Sequence, residues 1–164
     1  VKGIFALIFV SMLTSGSYAF AMTGDDFIAQ YNENAGDMKM YHPVLIDTEK
    51  DGSSFSFVNE DSSIYLEILE NEEGLYAVGV ALRDVPSPDF EAYLSTIDIV
   101  GETILPDKTE YERSSLLWET LAQAGQYGLM DTEGRVTEYQ GEVQATYAVT
   151  ENGVRIFIFF LKEE

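Results

Sequence analysis

The chain has 164 residues, with 29 Asp and Glu against nine Lys and Arg, a formal net charge of −20 and no cysteine. A field of that sign repels phosphate backbones and anionic lipid, which disfavours nucleic-acid partners and favours cationic ones. The missing thiols exclude disulfides, thiolate metal sites and cysteine nucleophiles, so the core alone must hold the fold together.

Residues 1–21, VKGIFALIFVSMLTSGSYAFA, read as a secretory signal peptide. Lys2 supplies the positive start, and Gly3 to Leu13 form an apolar run too short to span a bilayer comfortably. Ala19-Phe20-Ala21 then supplies the small-x-small pattern, which places cleavage after Ala21. Position 22 is Met rather than the Cys that a lipoprotein needs. Residues 22–164 remain, one domain in size, with a charge of −21 because Lys2 leaves with the leader. The expectation is an exported chain, periplasmic or extracellular, with no stable membrane anchor after cleavage.

Thr23 to Ala35 has helical periodicity, a capping box from Thr23 and Asp26, and Gly36 at its end. Four short runs follow, Pro43–Ile46, Ser54–Val58, Ser63–Glu70 and Leu75–Arg83, each bounded by turn residues and each read as a strand. The stretch VPSPD at Val85–Asp89 interrupts them and marks an internal boundary. A helix capped by Ser87 and Pro88 is expected to run to Val100, and a second follows a capping box of Thr109 and Glu112 to end near Gly125. Strands return at Gln126–Met130, Val136–Gln140, Glu142–Thr150 and Val154–Leu161. Asn152-Gly153 gives a hairpin signal for a two-residue turn.

The two passes share one order, helical part and then four strands. LIDTE at Leu45–Glu49 has a counterpart in LMDTE at Leu129–Glu133. The stretch Ile68–Asp84 matches Ala148–Glu164 in hydrophobic pattern and turn position. The fold class expected is α+β. Two helix-plus-four-stranded antiparallel units run in tandem, residues 22–84 and 85–164, in one compact domain with the helices on one face of the sheet. The final strand, VRIFIFFL, is apolar on both sides and should lie centrally.

Tyr65, Tyr76, Tyr127, Tyr139 and Tyr147 fall on predicted strands. With Phe157 and Phe159 they form the candidate binding set, because aromatic side chains offer large rigid contact area. His42 is the only histidine, which removes two-histidine metal sites, and neither a G-x-S-x-G elbow nor a phosphate-loop motif occurs. Asp47, Glu49 and Asp51, followed by Gly52, imitate the start of a calcium loop. Position 12 of that loop is Val58 rather than Glu, so they read as a turn, with a weak calcium site as the alternative. No cofactor is expected.

Taken as element order over Thr23 to Leu161, the tandem helical part plus four antiparallel strands resembles the β-lactamase-inhibitor protein family. That resemblance implies an inhibitor-like binding role, although the chain lacks the cysteines of the known inhibitors. A cystatin-like or NTF2-like helix-on-sheet domain is the alternative fold. The function expected is an exported, non-catalytic protein-binding module, an inhibitor or immunity-type protein for a basic partner. A small carboxylate-dependent envelope hydrolase and an apolar small-ligand carrier are the competing readings.

Overall fold

The computed structural model describes residues 20, 22–40, 44–47, 52–140 and 143–161. Of residues 44–47, 52–55, 139, 140 and 161 it describes the backbone alone. The class is α+β. Three helices, α1 (Gly24–Asn34), α2 (Phe90–Ile104) and α3 (Glu110–Gln126), accompany one antiparallel sheet. Its strands are β1 (Val44–Asp47), β2 (Gly52–Phe57), β3 (Ile64–Asn71), β4 (Gly74–Leu82), β5 (Gly134–Gln140), β6 (Val143–Val149) and β7 (Arg155–Leu161). The spatial order is β1-β2-β3-β4-β7-β6-β5, so β4 and β7 meet at the centre.

Both capping boxes form as the sequence implies. The Thr23 hydroxyl accepts the Asp26 N–H while the Asp26 carboxylate accepts the Thr23 N–H, and Thr109 and Glu112 do the same for α3. Those bonds hold the Asp26 and Glu112 carboxyls below the usual range: for Asp26 the Thr23 hydroxyl leads, and for Glu112 the Thr109 N–H leads. The N–H of Gly24 donates to the Glu70 carboxylate, which ties the positive end of α1 to the end of β3.

Three boundaries differ from expectation. The helix read from Ser87 is capped instead by Asp89, whose side chain accepts the Ala92 N–H, and it continues through Gly101 to Ile104. Gly101 is a contact point rather than a stop, since a Cβ there would lie 3.6 Å from the Phe159 ring. The strand expected at Gln126–Met130 does not form. Gln126 ends α3, and Gly128, at φ +69°, closes it with bonds from Gly128 N–H to Gly125 O (3.1 Å) and Leu129 N–H to Ala124 O (2.8 Å). This paired closure is the Schellman motif, and it needs glycine at the left-handed position. The second half therefore carries three strands among the described residues. Finally, Asn152 has no positive φ, so the β6–β7 connection is not a two-residue turn. Gly153, at φ +73°, takes the left-handed position of a three-residue loop closed by its N–H to Thr150 O at 2.9 Å.

The registers of the two long hairpins correspond. Leu66 faces Val80 and Ile68 faces Val78; 79 residues later, Ala145 faces Phe159 and Tyr147 faces Phe157. Gly79 pairs with Ile158, the residue at that same separation from it.

Side chains of alternate parity enter two apolar clusters. The larger holds Ile64, Leu66 and Ile68 of β3, Val78, Val80 and Leu82 of β4, Ala145 and Tyr147 of β6, and Phe157 and Phe159 of β7. Every helix residue that joins a cluster joins this one, including Phe27, Tyr31, Ile97, Val100, Leu116 and Leu121. The smaller cluster contains Tyr65, Leu69, Tyr76, Ala77, Ala81, Val154, Ile156 and Ile158, with Phe57 and Phe160 against it, and no described helix residue. The near-face cluster is thus shared with helix residues, and the far-face cluster contains none of those described.

Candidate functional site

The far face owes its shape to side-chain size on the central strand. The β4 residues pointing there are Ala77, Gly79 and Ala81, flanked on β3 by Leu69, Glu67 and Tyr65 and on β7 by Phe160, Ile158 and Ile156. Glu67, Gly79 and Ile158 form one row across three strands. Glu67, Gly79 and Ile158 are all buried in the chain; with the face uncovered, glycine would leave a slot roughly 9–10 Å wide in backbone spacing between the carboxylate and the isoleucine. Phe57 and Tyr65 stand edge to face at 5.8 Å at one end of the trough.

Glu67 is the chemical exception on this face. It is 1% exposed, and neither carboxylate oxygen has a hydrogen-bond partner. Burial alone pushes its pKa up to about 8, because nothing cationic offsets the loss of water. An unpaired buried carboxylate is costly, and the usual remedies are protonation or a partner charge. No other acidic residue among those described is buried. Farther along the same row, on β6 and β5, the Thr146 and Thr137 hydroxyls bond to each other at 2.9 Å, so this polar pair satisfies itself.

The candidate aromatic set divides among several environments. Tyr65 and Tyr76 belong to the far-face cluster, and burial raises the Tyr65 phenol well above its ordinary value. Tyr147, Phe157 and Phe159 lie in the near-face core. There the Tyr147 hydroxyl donates to Met130 O at 2.8 Å, and burial pushes its pKa up to about 12. Tyr127 lies at the end of α3, exposed, away from both clusters. The backbone of Tyr139 is in β5, opposite Gln144; its side chain lies outside the described residues. Glu49 and Asp51 of the calcium candidate also lie outside them, and of Asp47 only the backbone at the end of β1 is described. Asp131, the counterpart of Asp47 in LMDTEG, accepts from the Arg155 guanidinium, which also sits 5.3 Å from the Phe90 ring centroid.

The residue that sequence reasoning missed is Glu67. Its signal lies in IYLEIL, where a single carboxylate interrupts an otherwise apolar run. Read by alternation, that pattern looks like one solvated position. Outside the sheet, α3 carries two exposed aromatics on one stripe, about two turns apart, Tyr111 at 81% and Trp118 at 57% exposure.

No family model, curated protein or solved structure matches the chain. The described helices include none long and apolar enough to cross a membrane.

Proposed function

We propose that the protein is an exported, non-catalytic binding module that receives a basic segment of a partner protein on its far sheet face. One observation carries this reading, the buried Glu67 carboxyl with no hydrogen-bond partner, paired across from Gly79. An apolar sheet face must be covered, and the described helices serve only the other one. Contact with a partner requires the far face to be open in the exported chain. If a neutral apolar surface then covers it, Glu67 must take up a proton. Holding a carboxyl at about 8 rather than 4.5 costs roughly 3 kcal/mol at neutral pH, or about a hundredfold in affinity. A lysine or arginine entering the slot removes that cost by pairing with the carboxylate. The net charge of −20 adds long-range attraction for the same class of partner.

The proposal extends to architecture. We read the chain as two equivalent units whose hairpins correspond at a separation of 79 residues, joined back to back through Gly79 and Ile158 with the helices behind one face. The hydrolase reading needs a second carboxylate close to Glu67, and none of the other described acids is buried with it.

The test uses the exported chain and two amphipathic peptides, one of leucine and lysine and one with each lysine replaced by glutamine. The lysine peptide should bind at least tenfold more tightly at pH 7 and low salt. Glu67→Gln should erase the preference, and Gly79→Val, which fills the slot without demanding a positive φ, should weaken both peptides. Equal binding of the two peptides by the unaltered chain would sink the reading.

A further inference from the structure

We propose that the leader is removed after Ala19, so that the exported chain begins at Phe20; this rests on the export reading above. Two small-x-small triplets overlap in the sequence, Ser17-Tyr18-Ala19 and Ala19-Phe20-Ala21, and both suit a leader peptidase. The packing separates them. Phe20 is 4% exposed and sits in the near-face core with Phe27, Tyr31 and Leu75. Its N–H donates to the Leu75 carbonyl at 2.6 Å, its own carbonyl accepts the Met22 N–H at 2.6 Å, and the Leu75 N–H donates to the Met22 carbonyl at 3.0 Å.

Cleavage after Ala21 removes an aromatic ring from the core and strips the Leu75 carbonyl of its partner at the start of the central strand. Cleavage after Ala19 keeps both. Water adds across the Ala19–Phe20 peptide bond, leaving a carboxylate on the departing leader and an α-ammonium on Phe20. That ammonium retains a hydrogen for the Leu75 carbonyl, and its charge strengthens the bond. Phe20 thus serves as an N-terminal plug rather than the last but one residue of the leader.

Intact mass and N-terminal sequencing of the exported product test this, with the chain expressed behind its own leader. A product beginning at Phe20 supports the proposal. One beginning at Met22 overturns it and leaves export standing, whereas one retaining residues 1–19 overturns both. Ala21→Leu offers a second arm, because a bulky residue blocks only the downstream triplet: processing should continue unchanged, and its loss would contradict the proposal. In the mature protein Phe20→Ala should lower Tm by about 10 °C, and an unchanged Tm would equally refute the plug.

Discussion

Consecutive residues of β7 meet different worlds. Phe157 and Phe159 pack among helix side chains, whereas Ile156 and Ile158 join a cluster to which no described helix contributes. The treatment of polar groups differs in the same sense. In the helices behind the near face, Thr96, Thr103 and Thr120 bond the carbonyls of Ala92, Ile99 and Leu116 at 2.7–2.8 Å. On the far face Glu67 has no partner for either oxygen. A strand apolar on both sides therefore does not imply two equivalent cores. One side shares its core with helix residues, where the threonine hydroxyls are bonded although that of Tyr93 is not, and the other holds a carboxyl with no partner.

The largest expected effect belongs to the near face. Phe157→Ala should cost about 4 kcal/mol in urea denaturation, because it opens a cavity among residues that cannot collapse around it. A loss under 1 kcal/mol would show that the helices do not close this side.

Next comes the pH dependence of the far face. Burial holds the Glu67 pKa at about 8, against 4.5 for a carboxyl in water, so a neutral ligand that reburies an opened far face takes up a proton. The contribution vanishes below pH 4.5, where both states are protonated, grows against binding as pH rises to 8, and is constant above. Affinity for the glutamine-substituted peptide should therefore fall by up to about tenfold per pH unit between 5 and 8, while affinity for the lysine peptide stays flat. Parallel profiles from titration calorimetry would remove Glu67 from the account.

Smaller effects sharpen the near side further. Thr23→Ala and Thr109→Ala should each cost about 1 kcal/mol through loss of a cap. Because the capped carboxyls of Asp26 and Glu112 are depressed, the help they give is present at neutral pH and fades on acidification through their lowered pKa values. Last, the Tyr93 hydroxyl is buried without a partner, so Tyr93→Phe should leave stability unchanged or raise it by up to about 1 kcal/mol.

Much of the scaffold was legible because its signals are local. Thr23 with Asp26 and Thr109 with Glu112 announce their helices, and alternating apolar runs flanked by turn residues announce β2, β3 and β4. The centrality of β7 followed from its apolarity on both sides. Helix ends were less legible, since Gly101 and Gly125 look like stops. Gly101 lies inside α2 with negative φ, in ordinary contact range of Phe159, and the closing position of α3 falls to Gly128. The site was hardest to see. Tyr147, Phe157 and Phe159 differ from Tyr65 and Tyr76 only in which face their parity selects, and parity acquires meaning only once the helices choose a side. Glu67 offered a one-letter clue, yet its significance depends on Gly79 lying opposite, twelve residues along the chain.

The central claim of the proposal is that the far face opens to a partner rather than forming a second permanent core. Ile158→Thr, which keeps the β-branch but loses a methyl group and replaces a methylene with a hydroxyl, tests it directly when compared with the unaltered chain in urea. The account predicts a change of at most about 1 kcal/mol, as for a residue facing water. A loss of about 3 kcal/mol or more, comparable with that from Phe157→Ala, would mean that the chain itself keeps this face closed, and would contradict it.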